Sequence, residues 1–199
     1  MKIYDISQEI LNCKVYPGDP KPNKQIISSI LKGDLYNLSS FSMCAHNGTH
    51  IDSPYHFYEK GKTIDQISLD KVIGFAYVIF CDEEITLDTM KKIYTKALEN
   101  SAEAAKRILI KGKGYINKDA AEYLAKQNIY LIGSESQTIG PLDTPMDVHL
   151  LLLNKDIVLL EGINLNDINE GIYFLNAAPL NISGFDGSPC RAVLIDFNK

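Results

Sequence analysis

The run His46-Asn47-Gly48-Thr49-His50-Ile51-Asp52-Ser53-Pro54-Tyr55-His56 decides how this chain is read. The protein has only four histidines, and three of them fall in these eleven residues beside an aspartate. Imidazole nitrogens and carboxylate oxygens are the donors that zinc, manganese and iron take. In steps of two, His46, Gly48, His50, Asp52, Pro54 and His56 would share one side of an extended chain. Residues four apart on a straight strand stand roughly 13 Å apart, whereas two ligands of one ion, each at about 2 Å from it, must nearly touch. The backbone must therefore fold back between His46 and His50, and Gly48 can take the angles that such a bend requires. Pro54 has no amide hydrogen, which argues against a helix through the segment. The expected form is a kinked loop closing around a metal. A lone histidine on an apolar face is more often a satisfied core residue than a ligand, but three of them with Asp52 in a histidine-poor chain point to a metal site.

Outward from this loop the chain alternates between strands and helices. Strands are expected at Ile3 to Ser7, Gln25 to Ile30 and Ser40 to Cys44, the last leading into the histidines. Val15-Tyr16-Pro17-Gly18-Asp19-Pro20 is a turn. Gly74 to Cys81 is a β-rich apolar run, followed by an amphipathic helix over Leu87 to Leu98. Arg107 to Ile110 reads as a strand ended by the Gly112-Lys113-Gly114 turn. Asn117 caps a helix to about Gln127, and Ile129 to Ile132 is a buried strand. Thr144-Pro145 opens another helix, with threonine as cap and proline in the first turn. That helix carries His149. Ile157 to Leu160 ends in Glu161-Gly162, and Ile172 to Leu175 and Ala192 to Phe197 close the chain as strands. A single mixed α/β domain over 1–199, built around one core, follows.

Composition narrows the function classes. A net charge of −5 and no cluster of Lys and Arg with interleaved aromatics give nucleic acid no face to bind. The N-terminus has no apolar run of signal-peptide length, no segment approaches a membrane span, and a cytoplasmic address is expected. The four cysteines are scattered without C-x-x-C spacing, and Cys81 and Cys190 read as buried free thiols of a reducing compartment. Two further residues bear on chemistry. His149 lies about one turn into a helix whose next residues are leucines. Glu161 ends an apolar strand, where a carboxylate is costly to bury unless a cation or strong donors receive it. On these grounds alone, each is as readily outside the site as in it.

The pattern His46-x-Gly48-Thr49-His50-x-Asp52-x-Pro54-x-His56 resembles the signature of the metal-dependent cyclase family, which includes bacterial kynurenine formamidases and isatin hydrolases. Asp5-Ile6-Ser7 and Tyr16-Pro17-Gly18-Asp19 look like its opening. The run from His149 to Glu161-Gly162 has its spacing, and Gly171-Ile172-Tyr173, Ala178-Pro179-Leu180 and Asp186-Gly187-Ser188-Pro189-Cys190-Arg191-Ala192 are similar to its closing segment.

The resemblance implies a swivelling β/β/α-type cyclase fold and two divalent ions per subunit, zinc first and manganese second. His46, His50 and Asp52 would hold one ion and Asp52, His149 and Glu161 the other, with Asp52 and Glu161 bridging. His56 would be the proton donor and acceptor. The implied activity is hydrolysis of a small amide or formamide such as N-formylkynurenine, in tryptophan catabolism, by a homodimer or homotetramer. Related alternatives are a cyclic amide or ester, or a metal-binding protein without turnover. Thr49 is read as support for the loop. Three departures bear on the substrate pocket. Tyr16 stands where the formamidases carry a substrate-contacting tryptophan, and it can still stack on a ring. Asn47 stands where the formamidases usually carry a threonine or another small residue, and Gly133-Ser134-Glu135-Ser136-Gln137 differs from the common version of that loop, which carries an aspartate and a serine.

Overall fold

The computed structural model describes residues 1–197. Strands β1 (Lys2–Asp5), β2 (Asn23–Ser28), β3 (Leu38–Ser42) and β4 (His50–Asp52) come first, and helix α1 (Leu69–Val72) follows. Then β5 (Ile73–Phe80), α2 (Leu87–Asn100), β6 (Arg107–Lys111), α3 (Lys118–Leu124), β7 (Leu131–Ser134), α4 (Met146–Leu153) and β8 (Val158–Glu161) form three successive strand–helix–strand units. The strands β9 (Gly171–Asn176), β10 (Gly187–Pro189) and β11 (Val193–Asp196) end the chain.

One nine-stranded sheet runs β1-β11-β9-β5-β6-β7-β8-β4-β10, while β2 and β3 pair only with each other. Its centre, β5 to β8, is parallel, as helical crossovers require. Both flanks are antiparallel. The mixed α/β architecture expected from the sequence is the one formed. Its apolar interior is divided by the sheet, however, because strands buried on both faces serve two layers. Ile108, Ile110, Ile132 and Leu159 meet Met90, Ile93, Ala121, Leu124, Val148 and Leu152 of the helices. On the other face, Leu109, Val158 and Leu160 pack with Ile51, Val78, Ile163 and Leu194.

Several local expectations are corrected. His50–Asp52 is a strand, so the fold-back is confined to Ala45–Thr49, where Gly48 has φ +67°. Pro54 starts a one-turn 3-10 helix, Pro54–His56, because its missing N–H would be unpaired there anyway. At α4 the cap position falls to Pro145, with no side-chain cap, and the Thr144 hydroxyl lies 3.4 Å from Asp143 Oδ1 instead. Asn117 does cap α3, accepting from the Ala120 N–H at 3.0 Å. Cys81 and Cys190 are free but only partly buried, since each lies at the margin of its apolar layer.

Candidate metal centre

Strand register assembles the first donors. In the antiparallel ladder of β4 and β8, His50 lies opposite Glu161 and Asp52 opposite Leu159. Alternation then turns His50, Asp52 and Glu161 to the sheet face that Leu159 shares with the helices, while Ile51 and Leu160 enter the other layer. Helix α4 packs on that same face and supplies His149. Asp52 and Glu161 are only 1% and 3% exposed. Two carboxylates so buried require positive partners, since an unpaired buried charge costs several kcal/mol.

The imidazoles are aimed by backbone carbonyls. His50 Nδ1 lies 3.0 Å from the Gly48 oxygen and His149 Nδ1 2.9 Å from the Pro145 oxygen. A carbonyl only accepts, so each Nδ1 donates and each Nε2 faces inward. His50 Nε2 stands 3.3 Å from Asp52 Oδ1 and 3.6 Å from Glu161 Oε2. His149 Nε2 stands 3.2 Å from Glu161 Oε1 and 3.6 Å from Asp52 Oδ2. Ligands at about 2.0–2.1 Å around a tetrahedral ion are roughly 3.3 Å from one another, so these separations match the edges of a coordination shell. The donor set therefore fits divalent ions. Among the described residues, His46 with His50 and Asp52, and Asp52 with His149 and Glu161, each bring one donor atom per residue within 4.8 Å of the others. Asp52 belongs to both sets.

A third set shares His46 and was not anticipated. His46 Nδ1 is 2.8 Å from Asp52 Oδ1, and its Nε2 is 2.8 Å from Asp186 Oδ2. His56 Nδ1 is 3.4 Å from the same Asp186 oxygen, and the His46 and His56 rings stack with centroids 4.0 Å apart. Gly187, opposite Asp52 in the β4–β10 ladder, makes room for this: a Cβ there would stand 2.6 Å from His46 Cε1. No spacing rule could have joined Asp186 to His46 across 140 residues. The sequence marks Asp186 only as the acid that opens the Gly187-Ser188-Pro189 segment resembling the family's close, with no role attached. Phe57 was also missed; its ring lies 4.6 Å from His56 and 5.1 Å from His149.

Charges in the cluster hold one another. Burial alone would push the Asp52 carboxyl up, but hydrogen bonds from His46 and His50 outweigh it and hold it well below the usual carboxylate range. Burial likewise works against a charged His46, yet Asp186 and Asp52 carry it up to about 11. For His149, Glu161 overcomes the same penalty and raises it to about 9. His50 is raised by Asp52 in the same way, against its burial. Asp186 is drawn far down, chiefly by His46 and then by His56. The histidines and carboxylates hold one another as paired charges, and a divalent ion would compete there with the imidazole protons.

The remaining expected residues lie at the margins. Thr49 Oγ1 accepts from the Gln8 N–H at 2.9 Å and donates to the Gly162 oxygen at 2.7 Å, tying the bend to the end of β8. Tyr16 is half-buried, with its hydroxyl 3.5 Å from the Leu142 oxygen in the segment before α4. His56 and Asp186 are partly open to solvent, whereas His50, Asp52, His149 and Glu161 form a closed floor.

Known proteins resemble this chain along most of its length. The sequence model of a family described as putative cyclases matches residues 4–141. A kynurenine formamidase of Bacillus anthracis is 31% identical, over 97% of this chain and 97% of its own. Among solved structures, one described as a predicted metal-dependent hydrolase from Bacillus stearothermophilus superposes with a TM-score of 0.80 at 28% identity, covering 97% of each chain. Isatin hydrolase A from Labrenzia aggregata shares the fold, with a TM-score of 0.82 at 21% identity over 97% of this chain and 93% of that one.

Proposed function

The chain belongs to the putative cyclase family, and from that membership we propose that it is a metal-dependent hydrolase cleaving a small amide or formamide of the N-formylkynurenine kind. The observation that carries the reading is the pair of buried carboxylates, Asp52 and Glu161, faced by imidazole Nε2 atoms at 3.2 to 3.6 Å. His46, His50 and Asp52 would hold one divalent ion and Asp52, His149 and Glu161 a second, with zinc or manganese as the ion. Such ions supply what side chains lack, polarising a carbonyl and lowering the pKa of water from 15.7 towards about 7.

The chain's own residues do the rest. Gly48 and Pro145 carbonyls keep His50 and His149 in one tautomer, so neither ring must reorganise during turnover. His56, at the open rim, takes a proton from the attacking water and passes it to the leaving nitrogen, a role suited to imidazole. Tyr16 would offer its ring to an aromatic substrate. A purely structural site would be closed and would need no histidine at its edge; the partly open His56 therefore favours catalysis over the metal-binding protein without turnover. A cyclic amide such as isatin is the second reading, supported by the fold shared with isatin hydrolase. No helix of the described residues is long and apolar enough to cross a membrane. Free thiols suit a cytoplasmic address, and a homodimer or larger assembly is part of the proposal.

The test is turnover of a panel of aryl formamides, lactams and lactones with added zinc or manganese. Formamide cleavage that chelator abolishes and metal restores is expected. A preference for lactams would transfer the assignment to the second reading, and no turnover of any member with either ion would overturn it.

A further inference from the structure

We propose that Asp186 is a positioning residue for the reaction, fixing His56 through Nδ1 so that Nε2 faces the substrate. The inference rests on the hydrolase reading for its chemistry and on separate geometry for its placement. One carboxylate oxygen, Asp186 Oδ2, serves two stacked imidazoles, at 2.8 Å from His46 Nε2 and 3.4 Å from His56 Nδ1. A carboxylate only accepts, so His46 Nε2 donates at hydrogen-bond length, while His56 Nδ1 faces the same oxygen at ion-pair distance. His46 then turns Nδ1 towards Asp52, and in the proposed orientation His56 carries its proton on Nδ1, beside the carboxylate, and its lone pair on Nε2.

Other groups restrict these rings to that orientation. Gly187 leaves no side chain between β10 and His46, and Phe57 meets the His56 ring edge to face, with an interplanar angle of 86°. Asp186 itself is placed by the backbone, its carbonyl accepting from the Ser53 N–H at 3.0 Å and from the Ser53 hydroxyl at 2.9 Å. Ser53 immediately precedes the 3-10 turn that carries His56, so the carboxylate and the imidazole it aims share one anchor. Asp186 belongs to neither donor set that contains Asp52, and it meets His46 on the ring nitrogen opposite the one that Asp52 faces, so it acts as an outer partner rather than a ligand of those ions.

In the reaction, His56 Nε2 takes a proton as water's oxygen bonds to the carbonyl carbon. It returns that proton to the nitrogen as the C–N bond breaks. The Asp186 carboxylate stabilises the imidazolium between the two transfers without itself changing protonation.

The test compares Asp186→Asn with the parent at saturating metal, alone and in a His56→Ala background. Alone, it should lower kcat by about 10- to 100-fold, the usual cost of losing an outer-sphere partner, and leave KM nearly unchanged. The loss should grow as the leaving amine becomes more basic. With His56 already removed, Asp186→Asn should cost less than about threefold, because residues acting as a unit are not additive. An equal loss in both backgrounds would assign Asp186 to His46 or to folding and overturn the proposal. A second arm does not depend on turnover: two-bond ¹H–¹⁵N spectra of imidazole-labelled, zinc-loaded protein at a pH well above the ordinary imidazole value of about 6.5. The His56 proton should sit on Nδ1 in the parent and move to Nε2 in Asp186→Ala. An unchanged tautomer would overturn the proposal even if the enzyme proved active. Inactivity on every amide tested, with the tautomer shift present, would count against the hydrolase reading and leave the positioning role standing.

Discussion

Two adjoining stretches of this chain have exchanged their usual surroundings. The β2–β3 hairpin, Asn23–Ser42, pairs with no other strand among the described residues and leaves Leu31 and Leu35 98% and 95% exposed, with Ile26, Ile27, Tyr36 and Phe41 also outside. The stretch that follows buries Asn47, Thr49, His50, Asp52 and Ser53 almost completely. Scattered exposed apolar residues are ordinary, but this many within one hairpin are not. Each stretch is unfavourable by itself. Charges inside are stable only with cations or strong donors among them, and apolar side chains left outside gain no burial energy. The contrast therefore sets buried charge, which the proposed ions would balance, against exposed apolar side chains. Each can be broken without touching the other.

The largest effect is expected from Asp52→Ala. Asp52 belongs to both donor sets and lies between His46 and His50, so its loss should bring metal content and activity to background together. Elemental analysis beside the formamide assay checks this. If Asp52→Ala kept a full complement of metal, the buried stretch would have to be explained without ions.

His56→Ala sharpens the boundary between the closed floor and the open rim. Its ring belongs to neither floor set, so metal content should stay near that of the parent. Turnover should fall by about 10²–10⁴-fold, the usual contribution of a general acid or base. Loss of metal in this variant would move His56 into the ligand set.

A third expectation concerns pH. Neighbouring carboxylates raise His149 to about 9, so at neutral pH this ring holds a proton that an incoming ion must displace. Below that value, each displaced proton makes affinity fall as pH falls, by up to about tenfold per unit. Above it, that contribution should level off. Zinc titrations between pH 6 and 10 in buffers of different ionisation enthalpy read both the slope and the protons released. A flat profile would mean that the ring carries no proton before the ion arrives.

The metal-site half of this contrast was largely legible in the sequence, and the other half was not. Period two placed His50 and Asp52 on one face, and Gly48 marked the bend, because both signals are local and fixed by backbone geometry. Glu161 and His149 could be suspected from their positions, and only the family resemblance joined them to the loop. The β4–β8 register and the packing of α4 that join them are long-range pairings. Asp186 stayed hidden because β10 is only three residues long, too short to show a pattern. The helix cap at Thr144 failed for the opposite reason, since a good local signal yielded to Pro145 holding His149 Nδ1 through its carbonyl. The strands of the hairpin were legible as strands. That they would stand apart from the main sheet was not, because alternation shows which residues share a face and not what the face meets.

The smallest effect on folding should come from the hairpin, and there the contrast is most open to failure. Leu31→Lys with Leu35→Lys removes side chains that touch almost nothing in this chain. Stability of the isolated subunit should change by no more than about 0.5 kcal/mol per substitution, and metal content should stay at the parental level. If a second copy covers the hairpin, those leucines become interface residues, and charging them should weaken assembly by at least about tenfold, or 1.4 kcal/mol. Sedimentation over a dilution series would show the midpoint of dissociation moving to higher concentration. An unchanged assembly would leave this apolar row to some other partner. A large loss of subunit stability would mean that the hairpin is held by its own chain after all, and the contrast with the buried charges would then be one of degree.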